Sequence, residues 1–293
     1  MTAAAIPASM DAPLAAPRTP WREPSAVPGF RLAFGFTVLY LSLIVALPLA
    51  ALCARPWEHG LSGFADAIFA PRTLAALRLS FVAALLAALA NVALGLLIAW
   101  VLTRYDFPGR RIADALVDLP FALPTAVAGI ALATLYAPNG WIGEILTPIG
   151  IKVAFTPLGV FVALLAVGLP FVVRAVQPVL QDLDAACEEA AQTLGAGSAT
   201  VFWRVILPAL TPALLTGFAL AFARGAGEYG SVIFIAGNMP GLSEIAPLVI
   251  VSRLEGYDYA GAASVGVAML IVSLGALMIT NAVQVWLSRR GAR

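Results

Sequence analysis

The sequence predicts an all-α polytopic membrane protein with six transmembrane helices and both termini cytoplasmic. Three observations lead there. The 293-residue chain is 61% hydrophobic and 11% charged, whereas soluble domains carry roughly a quarter charged residues. Six apolar stretches, roughly 32–53, 74–102, 116–137, 157–176, 210–236 and 261–287, each reach the about 20 residues that a membrane helix needs. Finally, the basic residues sort by side. Arg18, Arg22 and Arg31, then Arg104, Arg110 and Arg111, then Arg174 and Arg204, then Arg289, Arg290 and Arg293 fall on one face of the membrane. The other face holds only Arg55, Arg72, Arg78, Lys152 and Arg253. Cytoplasmic loops carry the excess of Lys and Arg, so the first face is the cytoplasmic one.

Residues 1–30 are rich in Ala and Pro with scattered charge, a composition that cannot bury a core and reads as a disordered cytoplasmic tail. The first apolar run is too long for a signal-peptide core of about 7–15 residues. Pro120 and Pro124 fall in the third stretch, Pro170 in the fourth and Pro212 at the start of the fifth. Each removes a backbone donor and bends its helix. Such kinks suit a path that opens, and they equally reflect the higher frequency of proline in membrane helices. The two cysteines, Cys53 and Cys187, fall on opposite sides of the membrane, so no disulfide is expected.

The loop between the fourth and fifth stretches is built differently. From Leu183, apolar residues recur at Ala186, Cys187, Ala190 and Leu194 with helical spacing. Asp182, Asp184, Glu188 and Glu189 crowd its first half, as the helix dipole favours. Gly195 stands where a left-handed cap would end the helix, and Ser198 is suited to cap a second short helix through Trp203. The expectation is a helix, a hinge and a second helix outside the lipid. Its acidic half would be repelled by anionic lipid, so docking to a protein partner explains it better than resting on the bilayer.

Glu189-Ala190-Ala191, Gly195, Leu207 and Pro208 stand at the spacing of the EAA loop of ABC importer permeases, with Val205 in the place of its isoleucine. The segment at about 177–208 therefore resembles that coupling loop, and residues 31–293 resemble a six-helix permease domain of the type I fold. The resemblance implies that Glu189, Ala190, Ala191, Gly195, Val205, Leu207 and Pro208 dock a separate ATPase. The residues agree independently: a P-loop needs a lysine before Ser or Thr, and Lys152, the sole lysine, precedes Val153. No cofactor is expected on this chain, with Mg-ATP held by the partner.

The stretches 118–132, 221–241 and 254–262 resemble the sulfate/thiosulfate permeases, in particular the T-type subunit; molybdate permeases share the Gly227-Glu228-Tyr229-Gly230 turn. This resemblance implies two copies of an ATP-binding subunit, a second permease of the W type, a periplasmic sulfate-binding protein and a multi-pass place in the bacterial inner membrane. Arg224, Glu228, Tyr229 and Gly230 are the candidates for the translocation path or gate. Arg224 and Glu228 share a face if the helix is continuous, and they read either as a structural ion pair that lets the helix insert or as a gate.

Other functions fit less well. One histidine, His59, gives no metal cluster, and no catalytic constellation suggests an enzyme. A net charge of +1 leaves no nucleic-acid footprint. A secondary transporter using Asp118 or Glu228 as proton relays would lack the expected inverted repeat and leave the EAA loop without a purpose. Within the permease class, another oxyanion such as molybdate or phosphate is the alternative cargo.

Overall fold

The computed structural model describes residues 29–291, so the tail expected at 1–30 lies almost wholly outside the described residues. The described chain is helical, without a strand. It divides after Ala50 into two compact units. The first carries most of α1, Leu32–Glu58. In the second, four more helices are long and apolar enough to cross a membrane: α2 Pro71–Arg104, α5 Pro157–Asp182, α7 Ser198–Ala226 and α9 from Tyr259 to Trp286 and beyond. Between them lie α3 Arg110–Val117, α4 Thr125–Tyr136, α6 Ala185–Thr193 and α8 Ala246–Glu255.

Two of the expected spans are not continuous. The stretch at 116–137 divides into α3, a four-residue turn of helix Leu119–Ala122, and α4. Pro124 is the cause: the residue before a proline is pushed out of helical geometry, and Leu123 is extended at φ −85°, ψ 135°. The stretch at 210–236 is helical only to Ala226. Gly227 then ends the helix, and a short helix Val232–Ile235 follows. Among the described residues, then, five helices rather than six are unbroken and long enough to span.

Other prolines are absorbed without a break. Pro170 and Pro178 lie inside α5. Before Pro208 the helix widens to a π turn at Phe202–Ile206, in which Leu207 N–H donates to Phe202 O. The same turn occurs at Ser42–Ala46 before Pro48. Proline lacks an N–H and crowds the carbonyl four residues back, and a π turn just upstream relieves that conflict.

Helices α2, α5 and α7 form the heart of the second unit, packed on small residues. A Cβ at Gly217 of α7 would lie 2.8 Å from Val172 Cα, and one at Gly95 of α2 would lie 2.7 Å from Val172 Cγ1. Without a hydrophobic force between helices in lipid, such close approach is what holds them. Val172, Val173, Val176, Leu180 and Leu210 fill one core. Val160, Leu164, Val232, Ile235 and Ile245 fill another, nearer the broken segments.

The broken segments pack on one another. A Cβ at Gly129 of α4 would lie 2.3 Å from Ser231 O, and one at Gly230 would lie 2.2 Å from Thr125 Oγ1. Phe155 N–H donates to Ile235 O at 2.6 Å. We predict that Gly129→Ala lowers the thermal midpoint of the detergent-purified protein, by about 1–3 kcal/mol of overpacking. Gly275→Ala, where nothing lies within 4 Å of the added methyl, should show no loss. A Gly129→Ala midpoint equal to the parent's contradicts the close approach.

Candidate functional site

The α6 loop is assembled from local rules. Helix α5 ends at Asp182, and Leu183 turns extended. The Asp184 carboxylate then accepts from Ala186 N–H at 2.9 Å and caps α6. At the far end Gly195 has φ 85°. Ala196 N–H donates to Ala191 O at 3.1 Å and Gly195 N–H to Gln192 O at 2.9 Å, the paired bonds of a Schellman cap. Ser198 departs from expectation. The N-cap is Gly197, Ser198 makes no capping bond, and the expected separate second helix is the beginning of α7. A backbone already turned by Gly195 and Gly197 needs no hydroxyl to start that helix.

The expected docking residues divide by exposure. Glu189, Ala190, Gly195 and Pro208 are exposed, with Leu194 at 89%. Ala191, Val205 and Leu207 are half-buried and pack on the core beneath. The loop thus offers a small acidic and apolar outer face on a fixed base. Glu188, one position before the Glu-Ala-Ala triplet, turns inward and forms an ion pair with Arg104 at the end of α2. Sequence separation hid this contact.

The second region is the turn after α7. Arg224 and Glu228 are paired, as expected. The geometry differs from a shared helical face, because α7 ends at Ala226 and Glu228 lies in the turn, its N–H on Gly225 O at 3.1 Å. Glu228 is 3% exposed. Besides Arg224 it accepts from Ser231 N at 3.0 Å and Ser231 Oγ at 2.9 Å. A buried carboxylate persists only with such partners. Arg224 is only half-buried. Tyr229 packs on the second core, and Gly230 admits Thr125 of α4.

Two further charged groups appear that sequence reasoning did not pair. Arg174 of α5 donates to Asp118 at 2.8 and 2.6 Å, to Asp114 at 2.7 Å and to Gln177 at 2.6 Å. Asp118, read as an intramembrane acid, is thus tied to a cation, and the Arg174 guanidinium holds the Asp114 carboxyl below the usual carboxylate range. The spacing of Asp114 and Asp118, one helical turn apart, was the available signal. Arg72 donates through Nε and Nη2 to both oxygens of buried Glu244 at 2.8 and 2.6 Å. Among the described residues no cluster of His, Cys, Asp and Glu could hold a metal.

Comparison with known proteins fits this arrangement. Residues 91–293 match the family of the binding-protein-dependent transport system inner membrane component. The sulfate transport system permease protein CysT of Synechocystis sp. is 49% identical over 250 residues, covering 85% of this chain and 87% of that protein. That of Salmonella typhimurium is 47% identical, covering 90% and 95%. The chain belongs to the CysT permease family. It is accordingly a permease component of a binding-protein-dependent importer, a transport subunit and not an enzyme. Among solved structures, a bacterial ABC transporter that imports the acidic polysaccharide alginate aligns with TM-score 0.73 at 16% identity, over 87% of this chain and 94% of that one. That likeness supports the ABC permease fold expected from the sequence.

Gly195 gives the loop's sharpest test. A β-branched side chain at φ 85° costs about 1–3 kcal/mol, and open space around the glycine leaves no other penalty. On the expectation that an ATPase docks on this loop, Gly195→Val should insert normally yet retain severalfold less ATPase subunit on affinity purification. Full retention would show that the shape of this turn does not matter to docking.

Proposed function

We propose that this chain is the membrane-spanning subunit through which sulfate or thiosulfate crosses the bacterial inner membrane, driven by ATP hydrolysis on a separate subunit. The observation that carries this is the α6 loop, a capped helix with an exposed Glu189-Ala190 face and the left-handed Gly195 turn. Two copies of the ATP-binding subunit are the occupants of the assembly's cytoplasmic face, one of them on this loop. A second permease of the W type completes the pore, and a periplasmic sulfate-binding protein delivers the anion. A solved bacterial alginate ABC transporter in complex with a pentasaccharide-bound periplasmic protein, aligning here with TM-score 0.72, supports the periplasmic partner. Mg-ATP belongs to the ATPase, and this chain contributes no cofactor.

In this reading the broken stretch at 116–137 makes the sixth crossing, with α3 as its cytoplasmic elbow, and both termini are cytoplasmic. Irregular backbone at membrane depth is tolerated where protein or a water-filled path covers it. That condition is met where α4 and the Glu228 turn pack together. Sulfate is a strongly hydrated dianion whose isolated burial is costly. Arg224, half-buried at this junction, offers it transient positive charge, and Glu228 holds Arg224 when the path is closed. Selectivity then rests largely with the binding protein.

Two measurements test this. ATP-driven uptake of labelled sulfate into vesicles carrying the four-component assembly should be saturable and resist competition by molybdate. Preferential loss of uptake to molybdate would reassign the anion. For topology, with Cys53 and Cys187 replaced by serine, an impermeant thiol reagent on intact cells should label Ser62→Cys and Asn139→Cys but not Ser198→Cys. Labelling of Ser198→Cys would invert the orientation and remove the loop from the ATPase.

A further inference from the structure

We infer that α2 is the element that carries displacement of the α6 loop across the bundle, and that the ion pairs Arg104–Glu188 and Arg72–Glu244 are the joints at its two ends. The inference rests on the reading of α6 as the ATPase-docking loop.

Helix α2 is suited to the task. It runs 34 residues without interruption, about 51 Å at 1.5 Å per residue. Its one proline, Pro71, occupies the first turn, where no hydrogen bond is lost. The neighbouring elements are softer: α5 holds two internal prolines, α7 contains a π turn and Pro212, and the stretch at 116–137 is broken.

Both ends of this rod are fastened to functional segments. At one end, the Arg104 guanidinium bonds Glu188 of α6 and lies 5.4 Å from the Trp100 ring centroid. Trp100 meets Phe202 of α7 edge-on, with centroids 5.9 Å apart. The two limbs of the loop, on either side of the Gly195 turn, are therefore held on the same end of α2. At the other end, Arg72 grips both oxygens of Glu244, and Ser80 Oγ accepts from Ala246 N–H at 2.8 Å. Glu244 ends the segment that runs on from the Arg224–Glu228 turn. Midway, Ala84 of α2 sits against Gly225 at the foot of that turn, where a Cβ would meet it at 3.6 Å.

Glu188 is not part of the Glu-Ala-Ala triplet and faces inward, so it is free to bind α2 while Glu189 faces out. Arg104 and Glu188 are thus positioning residues: they pass motion on and need not touch anion or nucleotide. The Arg104–Glu188 pair is partly exposed, and such pairs contribute little to stability, so its loss should alter transmission more than folding. Glu244 is buried, so the other joint is removed only by neutralising both partners together.

The test uses the complete transporter, reconstituted with its ATPase, its second permease and its binding protein, and compares Arg104→Gln, the double variant Arg72→Gln/Glu244→Gln and the swap Arg104→Glu/Glu188→Arg. Labelled sulfate moved per ATP hydrolysed should fall at least fivefold in each Gln variant. Hydrolysis should stay within twofold and ATPase retention should be unchanged. The swap should recover at least half of the parent ratio. A substrate-independent readout accompanies it: in a background lacking Cys53 and Cys187, thiol labelling of Leu242→Cys, an exposed site near Glu244, should change at least threefold on adding ATP. Arg104→Gln should abolish that response. Parental ratios and parental labelling in the Gln variants overturn the inference. So does a parallel fall of hydrolysis and uptake, or loss of ATPase retention, either of which would make Arg104 a structural or docking residue. If the parent moves no sulfate, the sulfate assignment fails, and the Leu242→Cys response alone decides the inference.

Discussion

A buried carboxylate at the end of a membrane helix governs this structure. Glu228 is nearly inaccessible, and three donors surround it: the Arg224 guanidinium, the Ser231 amide and the Ser231 hydroxyl. A charge in lipid without partners costs at least several kcal/mol, so the turn that carries Glu228 must keep this geometry or leave the membrane. That geometry goes with the end of α7 at Ala226 and with the close approach of α4 to Gly230 and Ser231. The bend at Leu123–Pro124 and the helix end at Gly227 therefore lead into segments that pack on one another. Each leaves backbone groups outside a helix, and the segments that follow them pack together, Gly129 against Ser231 and Gly230 against Thr125.

The pattern of small residues follows from the same demand. Gly129 gives way to the Ser231 carbonyl and Gly230 to the Thr125 side chain. Farther along the bundle, Gly95 and Gly217 admit Val172. Large side chains in these places would separate helices that no hydrophobic force draws together in lipid. The exposed apolar residues of α1 and α9, such as Leu39, Ile44, Met278 and Ile279, are the complement, suited to lipid contact rather than to the core.

The sequence reading succeeded where the signal was local. The apolar runs located every long helix, and the acidic start and Gly195 outlined α6. Arg224 and Glu228 do meet, but across a turn rather than along the continuous helix face that their spacing suggested. It failed where the outcome depends on distant contact. Hydropathy alone made 116–137 and 210–236 continuous, because an apolar run says nothing of whether a proline or glycine will be absorbed. Pro170 and Pro178 stay within α5, packed on both neighbours, while Pro124 breaks its helix where the Glu228 turn waits to pack against the break. Ser198 resembled a cap because hydroxyls favour that place, yet the glycine before it took the role. The pairs Arg104–Glu188, Arg174–Asp118 and Arg72–Glu244 lie 84, 56 and 172 residues apart, and no periodicity in one sequence connects such positions. Arg72, Arg104 and Arg174 were therefore read for topology alone.

The central claim is that the Arg224–Glu228 junction opens and closes the path rather than only allowing the helix to insert. The most direct measurement is sulfate transport by the Arg224→Gln/Glu228→Gln double variant in the purified complete complex, which removes both charges while keeping both positions polar. The account predicts a variant that assembles and hydrolyses ATP while moving at least tenfold less sulfate than the parent. Transport at the parental rate would contradict it and reduce the pair to a structural one.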